Sequence, residues 1–291
     1  MRVSSSSIIG PVCVITVSAA GYLSFATKFG APGRSASYDF VVVGGGTAAL
    51  AIAARLAENV SNGVAVIEVG GFYEIDNGNT STVPHLGQVY DNAAITILHD
   101  YPSVDWEFET APQAGLNNTR QRYWRGKTVG GSSALNNVVY QRGTNGSYQM
   151  WTDMVGDQSY TFEALLPYFK KGVQFTPANT ALRPENASVP AVSNDAYSSS
   201  GGPLQVSYNN YAIPFDSWMK KAFNEVGLHE IQNFVSGKLI GHQYTSQEID
   251  ALDETRSPSE SAYLHEALTS SSNIIPSLSE YTSKTNHIFF K

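Results

Sequence analysis

The sequence predicts an α/β fold, α+β overall, and three observations carry that prediction. Residues 40–43 (FVVV) form an unbroken apolar, mostly β-branched run, the pattern of a buried parallel strand. Residues 47–58 are rich in Ala and Leu and read as a helix. Residues 64–68 (VAVIE) form a second apolar run after an Asn62-Gly63 turn. Strand, glycine turn, helix and strand make a βαβ unit, the opening of a Rossmann-like parallel sheet.

The remaining elements follow in chain order. Residues 72–123 hold aromatics, prolines and amides without a long period, and are expected to be loops and short helices. In 161–171, Phe162, Leu165, Leu166 and Phe169 share one face of an amphipathic helix despite Pro167. Residues 176–203 read as an extended loop, 204–208 as a strand and 214–226 as a helix. At 257–268, Ser257, Pro258 and Glu260 spell a capping box and a further helix.

Composition narrows the function. A chain of 291 residues with 42% hydrophobic and 15% charged residues is globular. Its net charge of −7, with no basic stripe, argues against a nucleic-acid face. The single cysteine, Cys13, excludes a disulfide framework and a cysteine-ligated metal, and the histidines have no metal-ligand spacing.

Arg2 followed by an uncharged run over 8–26 predicts a secretory signal over 1–26 and a linker over 27–37. The alternative is a membrane anchor in 8–26, but Gly10, Pro11 and Gly21 interrupt it, so no stable span is expected. Sequons at Asn59, Asn79, Asn117, Asn145 and Asn186 fit a secreted glycoprotein.

The first chemical motif is Gly44-Gly45-Gly46-Thr47-Ala48-Ala49, placed between strand and helix. Gly44 permits the tight turn, Gly46 lets a pyrophosphate approach the backbone, and Ala49 allows close helix–strand packing. The helix start offers free N–H groups and a positive dipole end to phosphate. Glu68 closes the second strand, roughly twenty residues on, where a carboxylate accepts from ribose hydroxyls. Dinucleotide binding follows; NAD and FAD both use this motif.

The second motif is residues 124–143, WRGKTVGGSSALNNVVYQRG. Gly130-Gly131 lets backbone run against a ligand, and the serines and asparagines supply short donors and acceptors. An NAD enzyme has no specific need of such a segment. With Gly126, Lys127, Val129, Gly130, Gly131, Ser132, Ser133, Leu135, Asn136, Tyr140, Gly143 and Gln149, the run resembles the N-terminal signature of the glucose–methanol–choline (GMC) oxidoreductases. DWEFETAPQ at 105–113 and RSPSESAYL at 256–264 resemble the same family, most closely its fungal aryl-alcohol oxidase-like and glucose oxidase-like members.

The resemblance implies an FAD-binding domain over 38–172, then a partial substrate-binding region over 173–291 that returns toward it. Gly44, Gly46, Thr47, Ala48 and Glu68 are expected to hold the ADP half of FAD. Val129, Ser132, Asn136, Asn137, Val138 and Val139 are expected along the pyrophosphate, ribityl and ring side. Some relatives attach flavin covalently through a histidine at the Asn136 position; asparagine cannot, so FAD is expected to be non-covalent. The implied reaction is hydride transfer from a small-molecule alcohol to flavin N5, with O2 or a quinone as electron acceptor. The family's histidine base lies in a C-terminal segment expected beyond Lys291, so no catalytic residue is assigned here and the 291-residue chain alone is expected to be poorly stable. The competing expectation is a non-catalytic flavin-binding remnant.

Overall fold

The computed structural model describes residues 37–86, 101–185, 187–192, 194–265 and 267. The signal-like segment, the linker except Ser37, the sequon residue Asn186 and the expectations for 268–291 lie outside the described residues.

β1 (Phe40–Val43) and β2 (Val64–Ile67) pair in parallel, Phe40 opposite Val64 and Val43 opposite Ile67. They are joined by α1 (Thr47–Ala57). Leu50, Ala53 and Ala57 recur on one helix face, and that face packs on Val64, Val66, Phe72, Val129 and Leu264. Burial on both faces holds for β2 but not for β1, where Val41 is 55% and Val43 81% exposed. Among the described residues β1 has a strand neighbour on one side only, which leaves its other edge and much of its surface uncovered.

Residues 72–123 contain the short helices α2 (Tyr73–Asp76) and α3 (Asn79–Thr82). They also contain an unexpected antiparallel ribbon of β3 (Phe108–Glu109) with β4 (Arg122–Tyr123). Buried Asp105 organises it: its carboxylate accepts the Arg125 N–H at 2.9 Å and the Glu107 N–H at 3.1 Å, and pairs with Arg122 at 3.4 Å.

A second sheet contains β5 (Val139–Tyr140), β6 (Val173–Thr176), β7 (Leu204–Ser207) and β8 (Ser246–Gln247), in the spatial order β5-β8-β7-β6. β6 and β7 run parallel; β8 is antiparallel to both β7 and β5. Its core is Val173, Ala196, Tyr197, Val206 and Val235, with Phe175 stacked on Tyr197 at a ring separation of 4.1 Å. Helices α4 (Asn145–Val155), α5 (Phe162–Lys171) and α6 (Pro214–Glu225) flank the strands in sequence. Thr161 caps α5 by accepting the Ala164 N–H at 3.3 Å.

The capping box expected at 257 does not form. Ser257 Oγ accepts the Gln205 N–H at 3.0 Å, and the Ser257 N–H donates to Glu248 O at 2.9 Å, so both groups are used by distant backbone. Glu260 turns inward instead of back to Ser257, and the chain takes a widened π turn over Glu260–His265.

Candidate functional site

The two glycine-lined segments meet. Gly44 leaves β1 with φ +96°, a conformation open to glycine, and its N–H donates to Ile67 O at 2.7 Å. Gly46 opens α1, and no side chain caps that helix start. The second segment enters a short turn, Gly131–Ala134, with φ +91° at Gly130 and +56° at Gly131. The Gly130 N–H donates to Gly45 O at 2.8 Å, and Thr47 Oγ1 donates to Gly130 O at 3.3 Å. A Cβ added at Gly131 would stand 2.7 Å from Gly46 Cα, so the loops touch backbone to backbone. The same segment is tied to the exit of β2: the Val129 N–H and Thr128 Oγ1 both donate to Gly71 O at 2.9 Å.

Glu68, buried at the end of β2, faces the first loop. Its Oε2 accepts the Gly45 N–H and its Oε1 accepts the Gly70 N–H at 2.9 Å. Each carboxylate oxygen has capacity for a further donor. Val129, expected along the cofactor, has its side chain in the βαβ core with Leu50, Val66 and Phe72, and its N–H is taken by Gly71 O. Ser132 Oγ accepts the Gly126 N–H at 3.2 Å. Val139 is half-exposed on β5, and Val138 is buried with φ +54°. Asn137 Oδ1 is shielded from solvent with no hydrogen-bond donor among the described residues.

Asn136 is held on both sides of its amide. Nδ2 donates to Glu248 Oε2 at 3.0 Å, while Oδ1 accepts from Arg256 Nη1 at 2.6 Å and from the Val138 N–H at 3.0 Å. Burial pushes the Glu248 carboxyl up, against the lowering by the Asn136 hydrogen bond and the Arg256 charge. Beneath Gly130, Ser133 Oγ donates to Gly130 O at 2.7 Å and accepts the Ser259 N–H at 3.0 Å. Glu260 sits under the same glycine, fully buried, and its carboxyl is held well above the usual range by burial and by the adjoining Glu74 carboxyl.

Sequence reasoning brought Gly44, Gly46, Thr47, Ala48, Glu68, Val129, Ser132 and Asn136–Val139 forward, and the fold gathers the segments that carry them. It missed Glu248, Arg256, Ser259 and Glu260 as supports. RSPSESAYL at 256–264 was the available signal, but nothing in it pointed to contacts over a hundred residues away.

A glycine turn, an uncapped helix start and two nearby hydroxyls, Thr47 and Ser132, suit an anionic phosphate chain better than any metal. Among the described residues no group of three His, Cys, Asp or Glu side chains could hold one. Two concavities lie elsewhere: one of about 260 Å³ beside Lys220, Glu230 and His242, the other of about 630 Å³ beside Arg55, Lys171 and His265. The glycine loops are the stronger candidate, because there an uncapped helix start meets a second glycine segment backbone to backbone, whereas the charges of the concavities are largely paired. Lys220 is bonded to Glu230, and Arg55 and Lys171 are paired with Glu58.

The fold and loops therefore have the form of a nucleotide-binding α/β protein. The GMC oxidoreductase family model matches residues 38–280. The chain is 51% identical over 246 residues to the glucose methanol choline oxidoreductase atC of Aspergillus terreus, covering 84% of this chain and 39% of that protein. It is 49% identical over 246 residues to patulin synthase of Aspergillus clavatus, covering 83% of this chain and 38% of that protein. Among solved structures it resembles an FAD-dependent oxidoreductase from Chaetomium thermophilum, with a TM-score of 0.68, 28% identity and coverage of 86% of this chain and 41% of that one. A fungal aryl-alcohol oxidase superposes with a TM-score of 0.67 and 25% identity, over 81% of this chain and 38% of that one. The chain belongs to the GMC oxidoreductase family. It spans about two-fifths of the length of these relatives.

Proposed function

We propose that this chain supplies the FAD-holding part of an oxidoreductase that acts on the CH–OH group of small-molecule alcohols. The observation that carries the reading is the backbone contact of Gly45–Gly46 with Gly130–Gly131, which joins both sequence motifs into one cradle. The α1 start and the Thr47 and Ser132 hydroxyls would bind the phosphates, and Glu68 the ribose. Asn136–Val139 would border the ring. When bound, FAD supplies the redox chemistry, accepting a hydride at N5 from the alcohol carbon.

No residue of this chain is assigned as the base that takes the hydroxyl proton. The electron acceptor is O2 or a quinone. Asn136 has no group that bonds to flavin, which supports non-covalent FAD. Acid precipitation of the purified yellow protein tests this: FAD belongs in the supernatant, and a yellow pellet would overturn it. Anaerobic addition of an alcohol panel tests the reaction: bleaching of the flavin by one or more members is expected, and bleaching by NADH alone would contradict the assignment.

The uncharged run at 8–26 supports a secreted protein, and so do the exposed sequon residues Asn59 and Asn117. Among the described residues no helix is long and apolar enough to cross a membrane. N-terminal sequencing of protein from culture medium tests secretion, with a start after residue 26 expected.

A further inference from the structure

Val138 is a buried, β-branched residue with φ +54°, a backbone region where such a side chain is strained. Strain of this kind persists only where the surroundings over-determine it, and it gathers at functional sites. Two bonds hold it here. The Val138 N–H donates to Asn136 Oδ1 at 3.0 Å, and Val138 O accepts the Glu248 N–H at 2.6 Å.

The holders are themselves held. Glu248 takes the Asn136 amide N–H through its carboxyl, so one residue grips both ends of the three-residue turn. Arg256, only 3% exposed, donates from Nη1 to Asn136 Oδ1, to Asn136 O at 2.7 Å and to Ser133 O at 3.2 Å. Its Nε donates to Ser81 O at 2.7 Å, and its N–H to Thr82 O at 3.1 Å. A cation at the carbonyl end of the Asn136 amide and a carboxyl at its N–H end fix which way the amide points. The turn follows directly on Gly131–Ala134, whose start touches the first glycine loop. Beside it, Asn137 Oδ1 is shielded from solvent with no donor among the described residues.

We propose that Glu248 and Arg256 are positioning residues: together they lock the strained Asn136–Val138 turn in the conformation that the flavin ring meets. The inference rests on the reading above that this face holds FAD. Neither residue need touch the flavin; both act through Asn136 and Val138. Locking the turn before binding removes the ordering that the ligand would otherwise have to impose.

The test uses the full-length protein, with Glu248→Gln and Arg256→Lys each made alone and in a Val138→Gly background. Glycine adopts the same φ without help, so it should need no lock. Three quantities are read: FAD dissociation constant by flavin fluorescence, visible circular dichroism of bound FAD, and melting of the FAD-free protein. Glu248→Gln should weaken FAD about tenfold and change the visible dichroism while leaving the FAD-free melt unchanged. In the Val138→Gly background the same substitution should cost less than threefold. Arg256→Lys, which keeps the charge but not the fork, should produce the same dichroism change. Equal losses in both backgrounds would overturn the proposal, as would a lowered melt with unchanged affinity and dichroism. Wild-type protein that binds FAD with variants that match it removes this proposal alone; wild-type protein that takes up no FAD removes the underlying reading as well.

Discussion

Gly131→Ala probes the contact on which the nucleotide site depends. The added Cβ would lie 2.7 Å from Gly46 Cα and 3.4 Å from Thr47 N, and the first neighbour is backbone that cannot rotate away. Alanine at φ +56° is itself strained by about 1–2 kcal/mol. Separating the loops also breaks the 2.8 Å bond from the Gly130 N–H to Gly45 O, a net loss of about 1 kcal/mol. Together these amount to about 2–3 kcal/mol, or a fall in melting temperature of roughly 4–12 °C for a protein of this size. FAD affinity should fall with it. Gly46→Ala is the partner experiment. Its Cβ meets Gly131 Cα at an ordinary 3.8 Å, so the melt should hardly move. The new methyl nonetheless stands where a pyrophosphate approaches, and FAD affinity should fall at least tenfold, about 1.4 kcal/mol. Differential scanning fluorimetry and FAD titration on both variants separate the effects. An unchanged melt for Gly131→Ala, or unchanged FAD affinity for Gly46→Ala, would refute the reasoning.

Other outcomes follow from the buried groups. Glu260 has its folded-state carboxyl raised by burial and then by Glu74, so its contribution is fully present below the ordinary carboxylate range. That contribution is lost as pH rises through the raised value, so melting temperature should decline with pH. Glu260→Gln should flatten the decline, and an identical pH profile would count against the buried acid pair. Burial pushes the Tyr197 phenol up to about 12, so its stabilising contribution is present below pH 10 and fades between about 10 and 12; ultraviolet titration should show a late-ionising tyrosine that Tyr197→Phe removes. Ser257→Ala leaves the Gln205 N–H without its acceptor and should cost about 1–3 kcal/mol in urea unfolding. A capping role alone would instead be rescued by Ser257→Asp, which cannot reproduce the packing of the buried serine.

The parts of the fold that were legible are those whose cause is local. Phe40–Val43, Thr47–Ala57 and Val64–Ile67 announce themselves through apolar runs, Ala and Leu content and a glycine turn, and Phe162–Lys171 through its apolar face. What could not be read depends on partners distant in sequence. The β3–β4 ribbon is two residues long on each side and stands on Asp105, whose burial no sequence pattern signals. The residues 257–260 carry every local sign of a capping box, yet Gln205 and Glu248 claim Ser257 first and Glu74 stands beside Glu260. The exposure of β1 likewise reflects which strands flank it, not its own apolar run. At the site, the glycines were legible because backbone approach demands them, whereas Glu248 and Arg256 resemble any other charged surface residue until the fold buries them against Asn136.

Hydrogen–deuterium exchange with and without FAD tests the cradle as a whole. If both glycine segments close on one flavin nucleotide, amides in 44–50 and in 127–134 should gain protection together, at the same FAD concentration. Protection confined to one segment, or two segments saturating at different concentrations, would contradict a single shared site.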